Sequence, residues 1–251
     1  MNFFKKDPNY LLKSFTYNTI LFGLLNLLLL EFKNQAHFLF SFYSLPLIFA
    51  GLVVGLISAT AFHNASHGNI KPRILNKLIG ELTADFSLED MKCFRIGHML
   101  HHIHSDDPLL DPHPPQGLNF LQFILSSRQK TISCIENLYY KHHGKSKKSV
   151  RNVFLQIVVF HMAAVMKLIF WYLFLGPVGF TFFFIPAYLS YFFGFAHLNY
   201  ISHKDETNEG NIFNHDGGWF YSLMNLITSG GYYHKNHHLS PGLYNPSKLN
   251  R

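Results

Sequence analysis

Residues 37–67 read HFLFSFYSLPLIFAGLVVGLISATAFHNASH, and the 26 positions from His37 to Phe62 contain no Asp, Glu, Lys or Arg. At about 1.5 Å of rise per residue such a run is long enough to cross the roughly 30 Å hydrocarbon core of a bilayer. Pro46 within it is a possible kink. His37 starts the run at one membrane face, and His63 and His67 meet it at the other. Two imidazoles four residues apart share one face of a helix. This stretch therefore predicts a membrane span that delivers paired histidines to its end.

Three further stretches read the same way. Ser14 to Phe32 encloses YNTILFGLLNLLLL, Asn152 to Leu175 is NVFLQIVVFHMAAVMKLIFWYLFL, and Val178 to Leu198 is VGFTFFFIPAYLSYFFGFAHL, with aromatic residues crowded at its ends. Spans 14–32 and 37–62 are separated only by a few residues around Glu31 and Lys33, and spans 152–175 and 178–198 only by Gly176 and Pro177. The expected fold is a single all-α integral membrane domain over residues 1–251, with four transmembrane helices in two hairpins.

Composition agrees. Hydrophobic residues make up 48% of the 251 positions and charged residues only 14%, against roughly 25% charged in a soluble domain. That apolar fraction excludes disorder, and Cys93 and Cys134 are too few for a disulfide framework or a cysteine-held cluster. Of the 21 Lys and Arg, three precede the first span, twelve lie between the second and third, and four follow the fourth. Short basic loops stay on the cytoplasmic side, so the chain is expected to be multi-pass with both termini and the long middle segment in the cytoplasm. The +7 net charge is largely this bias, and no nucleic-acid-reading module accompanies it. MNFFKKDPNY carries no pattern of a cleavable signal. The segment from Lys141 to Arg151, KHHGKSKKSVR, suits anionic headgroups or an acidic electron carrier.

Histidines outnumber Asp and Glu together, 17 against 14, and they cluster. His63 and His67 form HNASH. His98, His101 and His102 form HMLHH, Asn199 and His203 form NYISH, and His234, His237 and His238 form HKNHH. An H-x-x-H-H pattern should arise by chance roughly 0.08 times at this composition, yet it occurs twice. Neutral imidazoles of this kind bind zinc, copper, iron or nickel. Nine exceed the four ligands of one tetrahedral zinc and suit two ions, each keeping a position for water or oxygen. Asp106, Asp107 and Asp111 are candidates to orient ligand rings through their second nitrogen, with Asp107-Pro108 equally readable as a turn. His104, His113, His142, His143, His197 and His215 fall outside the boxes. His161 and Lys167 lie within the third span, the lysine readable as snorkelling to its end.

The order of boxes, H-x-x-x-H and H-x-x-H-H, then a transmembrane hairpin, then N-x-x-x-H and H-x-x-H-H, resembles the membrane fatty acid desaturase superfamily over about residues 45–245. The resemblance implies a non-haem di-iron centre at the cytosolic face. Its ligands would be His63, His67, His98, His101, His102, His203, His234, His237 and His238, and Asn199 would hold a metal-bound water in the site. HNASHGNIKPRILNKLIGEL followed by HMLHHIHSDDP is also similar to the carotenoid ketolase branch. The implied activity is oxygen-dependent desaturation of a lipid acyl chain, or ketolation or hydroxylation by the same centre. Dioxygen would be co-substrate, and two electrons per turnover would come from an external ferredoxin or cytochrome, since the chain has no flavin, haem or cysteine-cluster motif. A metal transporter would place its histidines at mid-membrane depth, where only His161 lies, and a zinc protease would need H-E-x-x-H where HNASH stands.

Overall fold

The computed structural model describes residues 7–31, 44–204 and 211–249, and helices are the only regular structure among them. In chain order they are α1 (Tyr10–Glu31), α2 (Pro46–His67), α3 (Arg73–Phe86), α4 (Met91–Ile103), α5 (Phe120–His143), α6 (Lys147–Gly179), a π-helical turn (Phe180–Phe184), α7 (Ile185–His203), α8 (Gly218–Ile227) and α9 (His234–Leu239), closed by a 3-10 turn (Pro246–Lys248). Three helical stretches are long and apolar enough to cross a membrane: α1, α2 and the 57 residues from Lys147 to His203.

That third stretch does not run straight. Gly176 sits at φ 66°, ψ 171°, outside the helical region and in one that favours glycine, and Pro177 follows it. On a straight helix Trp171 and Phe184 would stand about 20 Å apart. Their rings instead stack at 5.7 Å, and Tyr172 meets Phe180 at 5.5 Å. The chain folds back at Gly176, and α6 and α7 are separate rods.

The helices carry an inside-out pattern. In α1 the buried stripe is Leu11, Ser14, Phe15, Asn18, Phe22 and Asn26, half of it polar, while Ile20, Leu24 and Leu27 on the other faces are exposed. In water this arrangement would be unfavourable; in lipid the apolar side is the solvated one and buried polar side chains link helices. Asn26 Nδ2 donates to the Met166 carbonyl of α6 at 2.9 Å. In α2 the buried Gly51, Gly55 and Ala59 recur every fourth residue. A Cβ at Gly55 would overlap the Ala187 carbonyl oxygen and the Ser190 hydroxyl of α7, so glycine permits this close approach.

Several expectations are corrected. The first helix begins at Tyr10 rather than Ser14, because apolar Tyr10 and Leu11 already pack on the bundle. The second begins at Pro46, whose fixed φ suits a helix start, so Pro46 is no kink; residues 37–43, with His37, lie outside the described residues. This helix passes Phe62 and ends at His67, where Gly68 caps it at φ 78°. The third extends back to Lys147, since the Ser146 side chain accepts from Ser149 N, and the fourth ends at His203. Lys167 does not snorkel. It is 1% exposed, lies 2.8 Å from Asp85 Oδ1 and donates to the Glu89 carbonyl at 2.5 Å.

Asp85 and Asp90 flank the turn that feeds α4. Asp90 Oδ1 accepts from Lys92 N and Cys93 N as the N-cap, and its Oδ2 accepts from Ser14 Oγ at 2.8 Å and Asn18 Nδ2 at 3.0 Å. Trp171 Nε1 donates to the Asp85 carbonyl. Buried Ile96 and Leu100 then seat the far side of α4 among Leu11, Phe15, Ile135 and Val153. Three helices thus fix the rotation of α4, and its histidines point away from that core.

Candidate metal centre

Four helix ends converge where α4 crosses the bundle. The C-terminal turn of α2 brings His63 and His67, α4 brings His98, His101 and His102, the end of α7 brings His203, and α9 brings His234, His237 and His238. Helix α9 has only six residues and is held by its neighbours. Asn214 and Asn236 exchange hydrogen bonds, and Asn236 Nδ2 donates to the Pro246 carbonyl at 3.1 Å. Asn69 Nδ2 reaches from the end of α2 to the Pro241 carbonyl at 2.8 Å. Asn69 and Asn236 are supports that the sequence reading missed: Asn69 lies outside the boxes, and Asn236 occupies a spacer position of HKNHH, where the pattern singles out only the histidines.

The nine histidines divide into two groups. His63, His67, His98, His102 and His237 form one, and His101, His203, His234 and His238 the other, each with potential ligand atoms within 4.8 Å of one another. In the first group Nε2 of His98 lies 2.8 Å from that of His67 and 3.1 Å from that of His102, which is 3.0 Å from that of His237. In the second, Nε2 of His234 lies 3.0 Å from that of His203 and 3.3 Å from that of His238. Nitrogens about 2.1 Å from a shared ion would be roughly 3.0–3.4 Å apart, so these separations fit a common ligand sphere. The buried Nε2 atoms of His63 and His101 have no hydrogen-bond partner, which is costly unless another group satisfies them.

Carboxylates stand behind the second group. Asp111 meets His101 Nδ1 at 3.0 and 3.1 Å, and Asp106 Oδ2 meets His203 Nδ1 at 3.2 Å. A carboxylate there places the ring proton on Nδ1 and leaves Nε2 its lone pair. Gln116 Nε2 donates to Asp106 Oδ1 at 2.7 Å. Asp107 has the other role considered for it: its Oδ1 accepts from Leu109 N and Leu110 N and shapes the turn. Burial, reinforced by neighbouring imidazoles, holds His98, His101 and His234 well below the ordinary histidine value of 6.5 and brings His102 down to about 3. Neutral rings are the ligand form.

Asn199 is buried on α7 one turn before His203; its Nδ2 donates to the Phe195 carbonyl, and its Oδ1 has no partner. His113 stacks on His101 at 4.6 Å and forms a small cluster with it and Asp111. The other outlying histidines are not in these groups. His197 Nδ1 pairs with the Tyr232 hydroxyl at 3.0 Å, His215 Nε2 with the Ile201 carbonyl at 3.2 Å, and His161 Nε2 with Arg128 at 2.7 Å on an exposed face.

Residues 38–246, most of the chain, match the family model described as fatty acid desaturase. No curated protein matches the chain.

Proposed function

The chain belongs to the fatty acid desaturase family of oxidoreductases, and from that premise we propose that it is an oxygen-dependent lipid desaturase with a di-iron centre. The observation that carries this reading is the division of nine buried or half-buried imidazoles into two ligand-like groups, the second backed by Asp106 and Asp111. One iron would be held by His63, His67, His98, His102 and His237, the other by His101, His203, His234 and His238. Bound there, iron supplies dioxygen activation, which is the cofactor's own chemistry.

The protein's part is arrangement. Asp106 and Asp111 hold two rings in the lone-pair-forward tautomer, and burial keeps His98, His101, His102 and His234 neutral. Asn199, with a free Oδ1 among buried residues, is suited to hold a water near the second group. Insertion of one double bond removes two hydrogens and, with dioxygen, two electrons and two protons, yields two waters. The electrons would come from a separate ferredoxin or cytochrome, since the sequence carries no flavin, haem or cysteine-cluster motif. The reversal at Gly176 supports a reading of four membrane spans in two hairpins, and the basic-residue bias supports a cytoplasmic face for the histidines of an integral membrane protein.

The test is purification with iron supplied, together with lipid and carotenoid profiling of cells with and without the gene. About two irons per chain and a new acyl double bond are expected. One zinc without iron-dependent product sinks the di-iron reading, and an oxygenated carotenoid with unchanged acyl chains makes the chain a ketolase or hydroxylase. A cysteine probe at Lys145 should react only from the cytoplasm.

A further inference from the structure

The junction of α5 and α6 carries Lys145, Lys147, Lys148 and Arg151, all exposed, and no Asp or Glu occurs from Asn137 to Val178. Among the described residues no carboxylate pairs with any of these four cations. Gly144, at φ 68°, turns the chain between the two helices. Beyond it Lys145 Nζ lies 5.6 Å over the Tyr140 ring, and Ser146 Oγ accepts from Ser149 N. The result is an open groove lined by Lys145, Ser146, Lys147, Val150, Arg151 and Phe154.

The cations and the apolar residues of this groove stand at different heights. Lys147, Arg151, Phe154 and Val158 follow one another at three- and four-residue spacing on one face of α6. Phe154 is 62% exposed, and Val158 is exposed below it. At about 1.5 Å per residue Phe154 stands about 33 Å from the reversal at Gly176, close to the thickness of the hydrocarbon core. Arg151 is about 5 Å further out, in the headgroup layer, and Lys147 one turn beyond it. The neighbouring span begins at the same height, since Asn152 Nδ2 donates to Asn9 Oδ1 at 2.8 Å just before α1 starts.

Cations set immediately outside a lipid-facing apolar strip match the two parts of a phospholipid. An acidic protein could use the cations, but it would meet Phe154 and Val158 only by entering the hydrocarbon. Four cations without a carboxylate also favour a headgroup of net negative charge over phosphatidylcholine, whose choline adds a further cation.

We propose that this groove binds an anionic phospholipid of the surrounding leaflet, its phosphate held by Lys147 and Arg151 and one acyl chain lying along Phe154. None of these residues belongs to the histidine groups. Binding requires neither iron nor turnover, so the site is independent of the desaturase reading.

The experiment titrates the full chain in detergent with phosphatidylglycerol or phosphatidylcholine and counts bound lipid by native mass spectrometry. The expected result is one phosphatidylglycerol held about ten-fold more tightly than phosphatidylcholine, with an affinity that Lys147→Gln and Arg151→Gln together lower by about five-fold per cation removed. The charge-conserving pair Lys147→Arg and Arg151→Lys should retain that affinity. Lys71→Gln with Arg73→Gln, at exposed basic positions on another segment, should leave it unchanged. Equal affinity for the two lipids overturns the proposal, as does an equal loss in the Lys71 and Arg73 variant, which would mean diffuse charge rather than a groove. Displacement of the lipid by soluble glycerol phosphate would make this a soluble-phosphate site, and displacement by an acidic ferredoxin would make it a protein dock. Either displacement overturns the lipid assignment.

Discussion

His101 Nδ1 lies 3.0 Å from Asp111 Oδ1, and both side chains are sealed from solvent. Asp111 also accepts from Asp106 N at 2.7 Å and His113 N at 2.9 Å, so its carboxylate is fixed from three sides. The pair therefore fixes both the tautomer and the direction of a ring whose Nε2 has no other partner. Replacing the carboxylate removes the charge that fixes the proton on Nδ1. Asp111→Asn should lower iron affinity about 10- to 100-fold, read by chelator competition. Asp107→Asn should leave it unchanged, because Asp107 only accepts from backbone at an exposed turn.

Loss of a ligand should act on its own group. His203→Ala, in the group of four, is expected to bring iron from about two to about one per chain and to abolish turnover. His197→Ala should keep both irons, since its ring is engaged with Tyr232. Asn199→Ala should retain iron and lose rate, as befits a residue that positions water. Metal analysis of the three variants decides the assignment, and full iron content in His203→Ala would refute it.

Lys167 is the buried half of an ion pair whose partner, Asp85, borders the turn leading to α4. Lys167→Met leaves Asp85 without its cation and should destabilise the protein by about 3–5 kcal/mol, seen as a lower Tm in detergent. Lys167→Met with Asp85→Leu should recover much of that loss, because no uncompensated charge then remains.

Acid should weaken the metal-free protein. Burial lowers the pKa of His98, His101, His234 and His102, the last to about 3, from an ordinary 6.5. Below pH 6.5 the unfolded chain therefore binds protons that the folded rings refuse. Their contribution is intact above 6.5 and is lost as pH falls toward the folded values, at up to about 1.4 kcal/mol per pH unit for each ring. Thermal unfolding of the chelator-stripped protein should show Tm falling from pH 7.5 to 5.5. A flat profile would mean that the rings are not neutral because of burial.

The sequence alone determined the apolar helices and the nine histidines, because hydropathy over twenty residues and i, i+4 spacing are local properties of the chain. The reversal between α6 and α7 was legible too, in Gly176-Pro177. Tertiary structure alone decided how the histidines divide. His101 and His102 are neighbours on α4, yet they serve different groups, since adjacent positions on a helix point about 100° apart and the partners from α2, α7 and α9 arrive on different sides. It also decided among Asp106, Asp107 and Asp111, by which carboxylate the folded loop turned toward a ring; Pro108 allowed a turn at Asp107 without deciding it. Lys167 was ambiguous for the same reason: a lysine in an apolar span either reaches for water or meets a buried partner, and Asp85 comes from 82 residues earlier in the chain. Contacts across such separations exist only after the helices have packed, and no stretch of sequence read by itself contains them.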